Sequence, residues 1–348
     1  MTIAQPEQPK EQSTTLNQKS ILVTGGTGSF GRQFIRTVLR RFRPARVIVF
    51  SRDELKQSDM AEEFPPARYS AIRFFLGDVR DEQRLEMAFR GVDVVIHAAA
   101  LKQIPAAEYN PFECIHTNVL GAENVVRAAI RAGVKQVIAL STDKAVNPIN
   151  LYGASKLAAD KIFVAANHLS GETGPRFSVV RYGNVLGSRG SVIPYFQKLL
   201  KNGARNLPIT HPEMTRFWIS LQQGVDFVLS TIDRMDRGEI FVPKMPSMRV
   251  VEVASTLAPD LPHTIIGVRP GEKLHEVLVT QDDAPNVLEQ EDRFVILPSI
   301  AMWTSGGSNN GRKVSAGFSY SSDTNPHKLS PEELLRMLAE SERDHGSL

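Results

Sequence analysis

From Ser20 onward the chain alternates short apolar runs with segments long enough to be helices. The runs at roughly 20–24, 46–50, 72–76, 93–98, 136–141 and 177–182 have the length of buried strands, and each intervening stretch could carry a crossover helix. They lack the alternation of apolar and polar residues that a half-solvated sheet requires, as strands covered on both faces do. The pattern predicts an α/β fold: a Rossmann-type doubly wound parallel sheet with helices on both faces. Between two of the strands, residues 117–133 read as a helix, with Val119, Val125, Val126 and Ala129 near helical spacing and Gly133 closing it.

The periodicity weakens at both ends of this stretch. Residues 1–17 are polar, rich in Gln and Thr and aperiodic, so a disordered lead-in is expected there, with order beginning at Ser20. After residue 183 Gly, Pro and polar residues become frequent, which predicts a smaller, less regular C-terminal region over the carboxyl ends of the strands. The expected division is a cofactor-binding domain over 18–182, completed by about 217–244, and a substrate-binding region formed by 183–216 and 245–348. Residues 303–326 read as loop. A last helix is predicted over 331–343, with Ser330 as its N-cap and Pro331 at its first position.

Composition narrows the class without changing this picture. With 348 residues, 42% hydrophobic and 23% charged, the chain can bury a large core. It has no apolar run of the roughly 18 residues a membrane helix needs and no signal-peptide pattern, so a cytoplasmic protein without a membrane partner is expected. A net charge of +3 is too small to imply nucleic acid. The cluster of Arg36, Arg40, Arg41, Arg43 and Arg46 reads instead as a solvated face near a helix C-terminus. One cysteine, Cys114, allows neither an internal disulfide nor a zinc site, and it reads as a small buried hydrophobe. No metal is expected.

Chemistry enters where the first strand meets the first helix. The strand SILVT runs directly into GGTGSFG, placing Gly25, Gly28 and Gly31 where a dinucleotide-binding turn needs them. Glycines there permit a tight turn, close approach of backbone to a pyrophosphate and contact between helix and sheet, while the helix start supplies amide donors. At the end of the second strand, VIVFSRDELK offers Ser51 and Arg52 first, with Lys56 nearby. Asp53 stands one position later than an acid that selects NAD by binding ribose hydroxyls, so NADP is the expected cofactor. In GDVRD, Asp78 and Val79 follow the third strand. Asp78 has two readings, an adenine contact or a helix cap. Ala98 to Lys102 follow the fourth strand, near the expected ribose and nicotinamide.

Tyr152 and Lys156 lie four apart at the start of a helix and so share one face. A free phenol, with a pKa of about 10, is a poor base, but a neighbouring ammonium and an oxidised nicotinamide would stabilise its phenolate. Thr142 can bond a substrate oxygen beside it. Asp143 and Lys144 admit two readings: a capping Asp beside a solvated Lys, or an acid and a base side by side. The second pairing can protonate a leaving hydroxyl and remove a proton alpha to a carbonyl.

Taken together, TGGTGSFG, FSRDELKQSDM, GDVRD, HAAALKQIPAAEYNPFE, ALSTDKAVNPINLYGASK, RYGNVLGSRGSVIP, MTRFWI, GEIFVPKMPSM and GVRPGEKLHE resemble the inverting UDP-N-acetylglucosamine 4,6-dehydratases. These form the soluble subgroup of extended short-chain dehydrogenase/reductases that opens the pseudaminic acid pathway, and the similarity covers roughly residues 18–290. The resemblance implies an NADP cycle. Hydride leaves C-4 of the sugar, water is lost across C-5 and C-6, and hydride returns to C-6 with inversion at C-5. The product would be UDP-2-acetamido-2,6-dideoxy-β-L-arabino-hex-4-ulose. It implies that Asp143 protonates the departing 6-hydroxyl and that Lys144 handles the C-5 proton, a position where retaining relatives carry Glu. Large membrane-anchored relatives carry Met where Tyr152 stands.

By the same resemblance Thr27, Gly28, Ser29, Phe30, Ser51, Arg52, Asp53, Glu54, Lys56, Asp78, Val79, Ala98, Tyr152 and Lys156 would bind NADP. Lys102, Asn184, Thr210, Arg216, Arg269 and Glu272 would face UDP-N-acetylglucosamine, the two arginines neutralising its diphosphate. Soluble relatives assemble as homo-oligomers, so one is expected here. Two rival functions share the fold: a nucleotide-sugar epimerase, which does not need Asp143 with Lys144, and a non-catalytic NADP-sensing regulator, which does not need Tyr152.

Overall fold

The computed structural model describes residues 16–65, 67–188, 190–300 and 310–346. Six parallel strands stand where the apolar runs predict them: Ser20–Thr24, Arg46–Ser51, Ile72–Leu76, Val94–His97, Gln136–Thr142 and Arg176–Tyr182. The first strand pairs on one side with the second (Ile21 beside Val47) and on the other with the fourth (Ile21 beside Val94). The chain thus runs outward to the third strand and crosses back, leaving a crevice at the carboxyl ends of the first and fourth, where such sheets bind ligands. The sheet is doubly wound because its strands are apolar on both faces. Helices Ser29–Arg41 and Leu221–Arg234 pack together, and Glu82–Phe89, Gly121–Ala132 and Leu151–Ser170 form a second packed group.

The strand Ile240–Pro243 adds a seventh parallel member beside the sixth, fed by Leu221–Arg234. The sheet continues beyond it. Strands Arg293–Ile296, Val287–Glu289 and Arg312–Lys313 continue the same sheet antiparallel, so part of 245–348 belongs to the main sheet. Antiparallel edge strands need no long crossover, and short Pro- and Gly-flanked runs gave little periodic signal for them. The remaining C-terminal segments are more regular than expected. Asn184–Val185, Thr215–Ile219 and Ser247–Arg249 form a three-stranded sheet, with helices Val192–Lys201 and Val250–Leu257 packed together nearby. Trp218, Met248, Leu334 and Met337 share a separate apolar cluster that seats the last helix, Pro331–Gly346. Ser330 caps that helix, its hydroxyl accepting from the Glu333 amide at 3.2 Å, and the helix outruns the predicted 331–343. Within 303–326, the described residues add two two-residue strands, Arg312–Lys313 and Tyr320–Ser321, to the loop expected.

Two further readings are corrected. Leu16 is buried and the Asn17 side chain accepts from the Arg43 amide, so order begins before Ser20; the lead-in at 1–15 lies outside the described residues. The stretch 117–133 is not one α-helix. Residues His116–Leu120 form a π turn, followed by Gly121–Ala132, and Gly133 ends it at φ +68°. The π turn brings Asn118 inward, where its amide bonds both the nitrogen and the oxygen of Leu101. Such single-turn widenings often mark functional sites. Of the basic cluster, Arg40 and Arg41 lie in a last helical turn as expected, while Arg36 pairs with Glu63 and Arg41 with Asp226. No described helix is long and apolar enough to cross a membrane.

Candidate active site

The crevice begins at Gly25, whose φ of +65° is open to glycine but strained for other residues. A Cβ there would stand 2.9 Å from the Ala99 nitrogen, so glycine also lets the first strand's turn touch the end of the fourth. At Gly31 a Cβ would lie 2.6 Å from the Gly26 Cα, so a bare position lets the helix rest on the turn. Helix Ser29–Arg41 starts after Gly28 with no side-chain cap and no acidic residue in its first turn. Its leading amides are therefore free for an anion. Thr27 is buried against this turn, and Phe30 stacks on Phe34 at 5.9 Å. These features fit a dinucleotide pyrophosphate.

At the second strand's end the acid is already occupied. Asp53 caps helix Glu54–Glu63, accepting from the Lys56 amide at 3.0 Å, and pairs with the Lys56 ammonium at 2.5 Å. Hydrogen bonds from Lys56 hold the Asp53 carboxyl below its usual value. Ser51 is buried and its hydroxyl accepts from Gln57; Glu54 and Lys56 are exposed. Arg52 is half exposed, 3.5 Å from Asp78. Asp78 is not a helix cap: Asp81 caps helix Glu82–Phe89, while Asp78 accepts from the amide and guanidinium of Arg80. Val79 is buried beside Gly121, and Ala98 is half buried at the fourth strand's end.

Beneath that strand end lies His97, fully enclosed, with Nδ1 2.9 Å from the Thr24 hydroxyl. Burial first, and the Lys156 charge second, push its imidazole down to about 3. Between that value and the ordinary 6.5, the unfolded chain binds a proton the folded chain refuses. Stability is then lost as pH falls through this window, by about 1.4 kcal/mol per pH unit for this one group. Chemical denaturation at pH 7 and pH 4.5 should show part of that slope missing in His97→Gln; equal slopes would contradict it.

The catalytic candidates converge on the fifth strand. Thr142 ends it, Asp143–Ala145 form a 3₁₀ turn, and helix Leu151–Ser170 follows with Asn150 as its cap, Oδ1 accepting from Gly153 at 2.7 Å. At Gly153 a Cβ would be 2.1 Å from the Lys144 carbonyl oxygen, so the helix start presses on the Lys144 turn. That contact sets Tyr152 near Thr142, whose hydroxyl works against burial at the phenol. Tyr152 and Lys156 are buried rather than on a surface helix. Burial pushes the phenol up to about 12, and the cation that opposes this is Lys144. The sequence assigned that role to Lys156, but its ammonium donates to the Leu140 carbonyl at 2.7 Å, and burial lowers it while Asp160 raises it.

Asp143 is fully buried and Thr142, not Asp143, caps the 3₁₀ turn. Its Oδ1 accepts from Lys144 Nζ and from the Thr142 hydroxyl, each at 2.9 Å, while Oδ2 is enclosed with no hydrogen-bond partner among the described residues. Lys144 also donates to Asn184 Oδ1 at 3.1 Å and lies 3.7 Å from Glu276. Burial works to lower its pKa, but Asp143 and Glu276 outweigh burial and leave it raised. Lys144 is thus partly buried and paired, not a free surface lysine.

The residues expected to face the sugar nucleotide are not equally free to do so. Arg216 is buried, and its guanidinium donates to the carbonyls of Thr215 (2.7 Å), Leu274 (3.1 Å) and Lys273 (2.9 Å). In this conformation it braces the 273–276 segment instead of offering a free fork to a diphosphate. Arg269 is exposed, 3.7 Å from Glu272, on a loop whose Gly271 carbonyl accepts from the Asn150 amide at 2.8 Å. Thr210 is half buried just after Leu207–Ile209. Lys102 reaches solvent, and partial burial followed by the Lys144 charge lowers its ammonium.

Sequence reasoning missed several members. Glu276 is buried and faces Lys144, Arg216 and Lys273; nothing in LHEV distinguishes it from a surface acid. Asp160 is buried one turn after Lys156, accepting from Ser141 at 2.8 Å and pairing with Arg181 at 3.3 Å; its spacing from Lys156 was the available signal. Asn150 stands at an N-cap that NLYGASK displays. Cys114 is buried as expected, packed with Tyr152 and Ala107.

A family model described as polysaccharide biosynthesis protein matches residues 21–298. The chain is 54% identical over 333 residues to the UDP-N-acetylglucosamine 4,6-dehydratase (inverting) of Campylobacter jejuni, covering 94% of this chain and 99% of that protein. It is 45% identical over 276 residues to the UDP-glucose 4-epimerase of Rickettsia typhi, covering 76% and 79%. The solved structure of Pen from Bacillus thuringiensis superposes with a TM-score of 0.85 at 35% identity, covering 94% of this chain and 99% of that one.

Proposed function

The chain belongs to the polysaccharide biosynthesis protein family and, within it, to the inverting UDP-N-acetylglucosamine 4,6-dehydratases, and we propose that it dehydrates UDP-N-acetylglucosamine with NADP and inverts C-5. The product, UDP-2-acetamido-2,6-dideoxy-β-L-arabino-hex-4-ulose, is the first intermediate of a pseudaminic acid-type sugar. The observation that carries this reading is the Asp143–Lys144 pair at 2.9 Å, a buried acid and a partly buried base beside Tyr152 at the open end of the sheet. Elimination needs an acid and a base beyond the Tyr152 phenol; alcohol oxidation alone needs neither Asp143 nor Lys144.

A nicotinamide dinucleotide over the Gly25–Gly31 turn would supply the hydride acceptor for C-4 and the donor for C-6. The chain's residues handle the protons. The Tyr152 oxygen takes the 4-hydroxyl proton, with Thr142 orienting it. With C-4 a ketone, the C-5 hydrogen is acidic. Lys144 Nζ, once its proton has moved to Asp143, takes that hydrogen, and Asp143 gives its own proton to the departing 6-hydroxyl, which leaves as water; when C-6 is reduced, a solvent-exchanged proton adds to C-5 from the opposite face and inverts it. Preference for NADP rests on Asp53 being engaged by its cap and by Lys56, which leaves Arg52 as the residue for a 2′-phosphate. Residues 18–182 and 217–244 would hold the cofactor. The sugar nucleotide would lie against Lys102, Asn184, Thr210, Arg269 and Glu272, in a cytoplasmic homo-oligomer.

The kinship to a protein named UDP-glucose 4-epimerase supports the alternative of epimerisation. Incubation with UDP-N-acetylglucosamine separates the two. A product lighter by one water, carrying deuterium at C-5 when formed in deuterated water, is the expected result. An isobaric product would favour the epimerase, and bound dinucleotide without turnover would favour a regulator.

A further inference from the structure

Lys144 touches two buried carboxylates, and only one is its sequence neighbour. Glu276 arrives from the segment after Gly271 and is held from both sides: its amide donates to the Ser322 hydroxyl at 2.9 Å, and its carbonyl accepts from the Ser322 amide at 2.8 Å. Its Oε1 lies 3.7 Å from Lys144 Nζ and 3.6 Å from Arg216 Nε, and its Oε2 lies 3.6 Å from Lys273 Nζ. Oε2 is enclosed without a hydrogen-bond partner among the described residues. Lys273 is turned toward the other carboxylate's backbone, donating to the Val146 carbonyl and lying 3.4 Å from the Asp143 carbonyl oxygen. The segment that carries Glu276 is therefore fastened directly to the 3₁₀ turn that carries Asp143 and Lys144.

We propose that Glu276 is a positioning residue for the elimination, acting through Lys144: its buried charge keeps on the Asp143–Lys144 pair the one proton that the pair must share. The inference rests on the dehydratase reading above. The reason is a change of charge within the reaction. When Asp143 is protonated, ready to meet the leaving hydroxyl, it no longer offsets the cations around it. Those facing the cluster are Arg216, Lys273 and, further out, Lys102. Without Glu276 they would drive the shared proton from the pair into solvent, and Lys144 would become too weak a base for C-5. With it, Lys144 keeps its affinity for a proton whichever state Asp143 is in. The raised pKa of Lys144, opposed by burial and by Arg216 and supported by Asp143 and Glu276, agrees with this division.

The test is the pH dependence of kcat for dehydration in the full chain with NADP bound. Activity needs the proton on the pair, so it falls at high pH as the pair loses it. An opposite charge within about 4–6 Å shifts a pKa by roughly one to three units, so Glu276→Gln should move this falling limb down by about one pH unit or more. On that falling limb kcat should drop by about tenfold, with KM for UDP-N-acetylglucosamine changed less than about threefold. Glu276→Asp keeps the charge but withdraws it from Lys144, and should show the same displacement, smaller. It also serves if Glu276→Gln does not fold, judged by melting temperature and NADP binding. A folded variant whose falling limb superimposes on the wild type, or whose loss lies entirely in KM, overturns the proposal. A wild-type chain that releases no water defeats the dehydratase reading instead, and is recognised before any variant is made.

Discussion

Lys144→Ala should bind NADP as tightly as the parent chain and lose dehydration by roughly 10²–10⁴-fold, the range one positioned acid or base supplies. Its side chain meets Asp143, Asn184 and Glu276 and, among the described residues, makes no hydrogen bond or ion pair with the glycine turn, so cofactor affinity has no reason to change. Oxidation at C-4 should persist, because Tyr152 and Thr142 remain. Mixing the variant with UDP-N-acetylglucosamine should then build up the absorbance of reduced nicotinamide without releasing a dehydrated product. Near-normal turnover would refute the assignment. Removing the ammonium also leaves Asp143 and Glu276 enclosed with one fewer cation, so a lower melting temperature is expected as well.

Tyr152→Phe should fail one step earlier, losing roughly 10²–10⁴-fold in the first hydride transfer and accumulating no reduced nicotinamide. The sign of the pH dependence follows from the site. Burial raises the phenol to about 12, so in wild type the rate of nicotinamide reduction should climb with pH as phenolate forms. Because Lys144 is the cation that opposes burial at Tyr152, Lys144→Ala should displace that rise to higher pH. Single-turnover absorbance traces across pH 6–10 decide this. A flat profile, or a variant unshifted from the parent, would show that the phenol does not lose its proton in the rate-setting step.

These two variants separate residues that the sequence presented as a single group. Tyr152 and Lys156 could be paired from their spacing, yet spacing could not show that Lys156 is spent on the Leu140 carbonyl while Lys144 faces the phenol. The same holds for Arg216. Its type and position suited a diphosphate, but three neighbouring carbonyls in its own and a distant segment claim its donors. Which of several basic residues remains free for a ligand depends on backbone oxygens that no motif displays.

Local information determined much else. Strands covered on both faces must be continuously apolar, and a turn that brings backbone against backbone must be glycine; both rules act residue by residue and can be read along the chain. They placed the six leading strands, the Gly25–Gly31 crevice and the helix bearing Tyr152. The antiparallel extension by 287–296 and 312–313, the π turn at Asn118 and the position of Glu276 were decided by tertiary structure alone. Each depends on contacts between segments far apart in sequence. A buried charge is tolerated only where such distant partners meet it, so the site's electrostatics exist only once the chain has closed around them.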